Sequence, residues 1–298
     1  MLLDAGFDVS VLDDLSTGHR ESVDSRASFT EGSILNPGDI EQAIAGCQYV
    51  VHFAGKSLVG ESVEKPDLYL QVNVEGTQVL LHVMHTLGVE KIVFSSSAAT
   101  YGEPIEVPVT EECATIPTNP YGLSKLKVEN LLTEAALSGL AAISLRYFNV
   151  AGALQGRTGW LAERHNPETH LIPNVLTATE SKPLKIFGTD WPTSDHTCVR
   201  DYVHVVDLID AHIKALQILK HGEHQVINLG SGGGYSVKNV IDAAARVLGR
   251  PIPSVDVARR AGDPAVLVAS IARAKHLLNW TPTRDLGVMV SDSYNALH

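Results

Sequence analysis

The chain has 298 residues, 44% hydrophobic and 19% charged, enough for a sizeable core in one large or two smaller domains. Its formal net charge is -11, from 23 basic and 34 acidic residues, with no basic run, which argues against nucleic acid or an anionic membrane as partner. Three distant cysteines (Cys47, Cys113 and Cys198) suit a reducing cytoplasm, and neither a signal peptide nor a run of spanning length is seen.

Met1–Gly6 reads as a helix end capped at Gly6, followed by a strand over Phe7–Leu12. Asp13 and Asp14 stand at its tip. In a dinucleotide-binding unit an acidic residue there holds ribose hydroxyls, with a plain turn cap as the alternative. The first strand and the Gly-rich phosphate turn of such a unit would lie ahead of Met1. Ser28–Glu31 reads as a strand and Pro37–Ala45 as a helix. Gln48–Gly55 is a buried strand running into small residues that let a nucleotide approach the backbone. A long helix is expected from Asp67 to Leu87, with Asn73 inside it. Lys91–Ser97 is a buried strand ending in hydroxyls, a helix starts at Tyr121, and Ala141–Asn149 is a further strand. The alternation predicts an α/β fold: a Rossmann-type doubly wound parallel sheet, its first strand absent, with a smaller α/β substrate domain.

Residues 150–201 are rich in Pro, Gly, Thr and His, as expected of loops that build a substrate site. Val203–Asp207 and the helix to Leu219 are expected to return to the first domain, with Val226–Leu229 a last strand of it. The predicted domains are thus 1–149 with about 202–230, and about 150–201 with 231–298. Gly230–Gly234 follows a strand and precedes a helix over Ser236–Leu248. Tyr235 stands where the third glycine of G-x-G-x-x-G belongs, so a flexible turn is expected there and not a phosphate loop. His82 with His85, and His221 with His224, have i,i+3 spacing but no third ligand, and no metal is expected. Arg200, Arg259 and Arg260 could grip a diphosphate through their guanidinium forks, or be surface ion pairs.

The chemistry centres on Tyr121 and Lys125, with Ser97 upstream. Four apart on a helix, the Tyr and Lys side chains are neighbours. A phenol titrates near about 10, and an adjacent ammonium lowers that value by favouring the phenolate. Such a tyrosine can take a proton from a sugar hydroxyl and return it. A surface Tyr and a solvated Lys are the bland alternative. A strand-tip serine with Tyr-x-x-x-Lys resembles the triad of the short-chain dehydrogenase/reductase superfamily.

Within that superfamily the resemblance narrows. Leu12–Gly18, His52–Lys56, Val59–Val63, Ser95–Gly102, Asn119–Gly122, Leu145–Asn149, Pro167–Pro173, Val199–Tyr202 and Arg259–Asp263 are similar, in order, to the UDP-glucose 4-epimerase family. The resemblance implies bound NAD, a UDP-sugar substrate and a cytoplasmic homodimer. It places Asp13, Asp14, Leu15, Ser16, Thr17, Gly18, Ser33, Ile34, Phe53, Ala54, Gly55, Lys56, Ser57, Asn73, Ser95 and Phe148 along NAD, with Tyr121 and Lys125 at its nicotinamide side. Asn149, His170, Leu171, Lys185, Phe187, Arg200, Arg260 and Asp263 would hold the substrate beside Ser97 and Tyr121, with Leu267 on the floor of the sugar pocket. Ser33 and His196 depart from the family pattern, which often has Asp and Gly there. Without a phosphate turn, a chain starting at Met1 is expected to hold NAD weakly, which leaves a non-catalytic UDP-sugar binder as the alternative. A nucleotide-sugar 4,6-dehydratase is the other; it would need an acidic pair where Ala98-Ala99-Thr100 stand.

Overall fold

In the computed structural model, residues 1–157, 159–260 and 263–298 are described; Ala261 and Gly262 of the Arg259–Asp263 stretch lie outside them. After a single 3-10 turn closed by Gly6, the chain forms β1 (Ser10–Asp13), β2 (Ser28–Glu31), α1 (Pro37–Ile44) and β3 (Val50–His52). The expected long helix is in pieces: α2 (Val59–Glu64), α3 (Pro66–Tyr69), a π-helical turn over Leu70–Glu75, and α4 (Gly76–Leu87). Then come β4 (Lys91–Ser97), α5 (Pro120–Ala136), β5 (Ala141–Tyr147), β6 (Asn149–Ala151), β7 (Leu154–Gly156), β8 (Gly159–Leu161), α6 (Leu171–Leu176) and β9 (Leu184–Phe187). The remainder is β10 (Val199–Arg200), β11 (Tyr202–His204), α7 (Val205–Ile218), β12 (His224–Leu229), β13 (Tyr235–Ser236), α8 (Val237–Leu248), β14 (Ser254–Val257), β15 (Val266–Leu267), α9 (Ala272–Leu278) and α10 (Leu286–Asn295).

The chain divides into two units. The first holds Met1–Gly102, Ala114–Arg146 and His212–Ile227. Its strands form a four-stranded sheet in the order β12-β5-β4-β3 and a separate parallel pair, β1 with β2. Among the described residues no strand joins the pair to the sheet. Helix α1 covers both, and its Ile40 and Ala43 share a core with Leu80, Met84, Ile92, Phe94 and Leu132, against which Leu12 of β1 packs. Local chemistry sets the helix starts. Asn36 caps α1 through Gly38 N–H, and Asn119 caps α5 through Gly122 N–H, each followed by a proline at the first helical position.

The second unit holds Glu103–Cys113, Tyr147–Ala211 and Asn228–His298. It therefore includes Tyr202–His204, which the sequence reading returned to the first domain. The reason is pairing: β11 runs parallel to β6, with Tyr202 opposite Asn149. Its core gathers Val175, Ile186, Tyr202, Val240, Ala244 and Met289. The strongly amphipathic α8 supplies the centre of it, started by a capping box at Ser236. The Gly230–Gly234 turn is tied down by one side chain. Asp201, wholly buried, accepts hydrogen bonds from the backbone N–H of Ser231 (2.6 Å) and Gly232 (3.1 Å), from the Ser231 hydroxyl (2.5 Å) and from Ala269 N–H (3.0 Å). No helix among the described residues is long and apolar enough to cross a membrane.

Candidate active site

In the first unit, strand β4 delivers three consecutive hydroxyls to three partners. Ser95 Oγ lies 3.2 Å from His212 Nε2, Ser96 Oγ donates to Glu129 at 2.6 Å, and Ser97 Oγ accepts from Ala99 N–H at 3.1 Å. Ser97 thereby starts the 3-10 turn Ala98–Thr100. The first turn of α5 presses on that turn. A Cβ at Gly122 would stand 2.3 Å from the Ala99 carbonyl oxygen, so only glycine allows the approach that brings Tyr121 into the neighbourhood of Ser97.

Lys125 is buried, one helical turn after Tyr121. Its Nζ donates to the Ser95 carbonyl at 2.8 Å and lies 4.8 Å from the Phe94 ring centre and 5.8 Å from that of Tyr121. Burial lowers its pKa to about 8, partly offset by the Glu129 carboxylate one turn further on. The ammonium is thus still largely charged at neutral pH and faces the phenol. Glu129 is itself buried. It pairs with Arg146 of β5, Nε–Oε1 at 2.9 Å and Nη2–Oε2 at 2.5 Å, and the guanidinium covers the Tyr101 ring at 4.7 Å. Sequence reasoning missed both residues of this pair. A charged residue inside each buried apolar run was the available signal, because such groups are buried only when paired. Tyr121 also meets the Tyr69 ring edge-on, with centroids 6.4 Å apart.

The strand tips expected along NAD lie in this unit too. Asp13 accepts from Leu15 N–H at 2.7 Å and Asp14 from Ser16 N–H at 2.9 Å, so both cap the turn that runs through Thr17 to Gly18. Lys56 Nζ reaches Ser16 Oγ at 3.4 Å, which sets the turn after β1 beside the turn after β3. Phe53 in the latter is 48% exposed. Gly55 has φ of 149°, with its Cα against Asn73. Asn73 is tied to this turn. Its Oδ1 accepts from Lys56 N–H at 2.7 Å, and its Nδ2 donates to the Lys56 carbonyl (3.0 Å) and Ser124 Oγ (2.9 Å). Both amide hydrogens are in use, so Asn73 braces the Ala54–Ser57 turn against α5. The π-helical turn is what points it there. Ser95 is likewise turned into the core by its side chain. Ser33 Oγ accepts from Leu35 N–H at 3.2 Å, and Ile34 is packed under Gly76.

Of the residues expected to hold substrate, all but Ser97 and Tyr121 lie in the second unit, as does Phe148. Arg200 pairs in register with Leu267 on one side and Tyr235 on the other, so Arg200 and Leu267 lie side by side on one sheet face. Arg200 Nη1 donates to the Val199 and Pro264 carbonyls, and Nη2 lies 3.4 Å from Asp263. The Arg260 guanidinium stacks on Phe187 at 3.7 Å. Arg259 instead covers Trp191 and pairs with exposed Asp190, the surface ion-pair alternative. Asn149 Nδ2 donates to the Asp201 carbonyl at 3.0 Å. Lys185 is exposed on β9, and Leu171 opens α6 just after His170. His196 has φ of 66°, in the left-handed region where glycine is easiest. Of the histidine pairs, His224 sits between Thr133 Oγ1 and Ser144 Oγ, both at 2.8 Å.

The NAD dependent epimerase/dehydratase family matches residues 1–230. Among similar curated proteins, the UDP-glucose 4-epimerase of Corynebacterium glutamicum is 49% identical over 99% of this chain and 89% of its own length. That of Streptomyces lividans is 48% identical over 98% and 89%. A crystal structure of a UDP-glucose 4-epimerase superposes with a TM-score of 0.93 at 41% identity, covering 99% of this chain and 91% of that one. The Bifidobacterium longum UDP-glucose 4-epimerase in complex with NAD+ and UDP gives 0.90 at 36% identity, covering 99% and 92%.

Proposed function

From the premise that the chain belongs to the NAD dependent epimerase/dehydratase family, we propose that it interconverts UDP-glucose and UDP-galactose by inverting the sugar at C4. The observation that carries the reading is a buried ammonium, Lys125, on the same helix face as Tyr121, beside the strand tip that ends in Ser97. The turns after β1, β3 and β4 suit NAD: carboxylates at Asp13 and Asp14, a small-residue turn at Ala54-Gly55, and Lys125 near the nicotinamide side. When bound, NAD accepts a hydride from C4 and supplies it back.

Tyr121, held toward phenolate by Lys125, takes the proton of the 4-hydroxyl and later returns it. Ser97 shares that hydrogen bond. Arg200 and Arg260 grip the diphosphate while the 4-keto sugar turns over, and Asn149, His170, Leu171, Lys185, Phe187 and Asp263 hold the rest of UDP. Leu267, smaller than tyrosine, leaves room for partial acceptance of a 2-acetamido sugar. The Ala98–Thr100 turn carries no carboxylate, which disfavours dehydration. We assign the enzyme to the cytoplasm as a homodimer. Three free cysteines support the first, and apolar Val59, Val63 and Leu123, exposed on the packed pair α2 and α5, support the second.

Tyr121→Phe tests the chemistry. Turnover should fall about 10²–10⁴-fold, the usual worth of a general acid–base group, with UDP affinity retained in a calorimetric titration. Near-normal turnover in that variant would remove Tyr121 from the mechanism.

A further inference from the structure

The connection from β8 to α6, within the second unit, carries two Glu-x-His pairs five residues apart: Glu163 with His165, and Glu168 with His170. In the fold they converge. One ligand atom from each of the four lies within 4.8 Å of the others, the only such group among the described residues. His165 Nδ1 is 2.6 Å from Glu163 Oε1, and His170 Nδ1 contacts both Glu163 Oε1 and, at 2.9 Å, Glu168 Oε1. Glu168 is fixed from behind: the same oxygen accepts the N–H groups of Thr169 and His170, at 2.7 Å each. Asn174 of α6 donates to the His170 carbonyl at 2.8 Å, tying the connection to the helix. His165 is exposed while the other three are half-buried, so the cluster is open on one side.

We propose that Glu163, His165, Glu168 and His170 form a binding site for a divalent first-row transition-metal ion. The geometry argues for it over two separate ion pairs. Two independent His–carboxylate pairs would keep their rings apart, yet these rings lie 5.2 Å apart and both direct Nδ1 at one Glu163 oxygen. One dication on two neutral imidazoles and two carboxylates leaves the set neutral. Zn–N and Zn–O bonds of about 2.0–2.2 Å set tetrahedral ligand atoms about 3.4 Å apart, so the widest pairs have to close by little more than an ångström while the hydrogen-bonded His–Glu pairs, now at 2.6 and 2.9 Å, open by less than about one. Nitrogen and carboxylate donors without thiolate suit Zn²⁺, Co²⁺ or Ni²⁺ and not a copper(I) or iron–sulfur centre. The backbone bonds to Glu168 serve as the outer support that ligating carboxylates need. Such an ion would cross-link the segment that carries His170 and Leu171.

The test uses the untagged full chain, stripped with chelator and titrated with Zn²⁺ and Co²⁺ against a competing dye. One equivalent should bind with a micromolar or tighter Kd. The Co²⁺ form should show visible bands of four- or five-coordination, and X-ray absorption should show two imidazoles in the first shell. Glu163→Gln and His165→Ala should each weaken binding at least tenfold, while His82→Ala, on helix α4 of the first unit, should not. Absence of stoichiometric binding, a first shell without imidazole, or unchanged affinity in Glu163→Gln and His165→Ala would each overturn the proposal. If a variant misfolds by circular dichroism, the wild-type absorption spectrum alone decides. No turnover is measured, so failure here leaves the proposed epimerase chemistry untouched.

Discussion

At Gly122 one missing methyl decides whether the reactive groups can meet. An alanine there would put its Cβ 2.3 Å from the Ala99 oxygen, with backbone on both sides and no side-chain torsion to relieve it. Helix α5 has to back away from the Ala98–Thr100 turn, carrying Tyr121 with it. Overpacking of this kind costs about 1–3 kcal/mol, and an ångström of misplacement can cost about 10²-fold in rate. Gly122→Ala should therefore lower the unfolding midpoint and cut kcat at least tenfold. A variant with wild-type kcat would show that the close approach is incidental. Lys125 makes a related point. Its ammonium is useful because it is buried, and burial is what draws its pKa down to about 8.

At the scale of elements, the second unit depends on one carboxylate. Asp201 follows β10 and collects donors from the Ser231–Gly232 turn and from Ala269 after β15, fastening three segments that are far apart in sequence. Asp201→Asn keeps the shape but turns an NH₂ group toward backbone N–H donors. Buried hydrogen bonds to a charged group contribute about 1.5–3 kcal/mol each, so the loss should reach at least about 3 kcal/mol. Denaturant unfolding followed by the fluorescence of Trp160, Trp191 and Trp280, all in this unit, would measure it. A loss under about 1 kcal/mol would mean that the turn holds itself. The π-helical turn works the same way in the first unit: it sets Asn73 where it braces the Gly55–Lys56 backbone against Ser124.

For the whole molecule, acid stability follows from buried neutral histidines. Burial holds His52 down to about 3, and the Lys125 charge adds to this; burial likewise holds His224 down to about 4. In the unfolded chain both titrate near about 6.5. Between these values the unfolded state binds protons that the folded state does not, so stability rises with pH. The contribution of these two histidines should be level above about pH 7 and fall as pH drops from about 6.5 toward 4, by about 1.4 kcal/mol per pH unit for each histidine. Urea midpoints of wild type and His224→Gln across that range isolate one of them. An identical slope in the two proteins would remove His224 from the account.

Where structure is local, residue order was sufficient. Ser28–Glu31 and Lys91–Ser97 form strands over the expected residues, and Asn119-Pro120 starts the Tyr121 helix, because β-branched runs and an Asn-Pro cap act within a few residues. The i,i+4 placement of Tyr121 and Lys125 is likewise a property of any helix. What the order of residues could not supply is partnership at long range. The Glu129–Arg146 pair, the Asp201 keystone, the bracing role of Asn73 and the pairing of β11 with β6 each join segments whose meeting depends on the packed fold. Burial decided the rest. The same lysine is a solvated charge on an open helix and a pKa-shifted ammonium under Phe94 and Ser95, because only the tertiary structure removes the water around it.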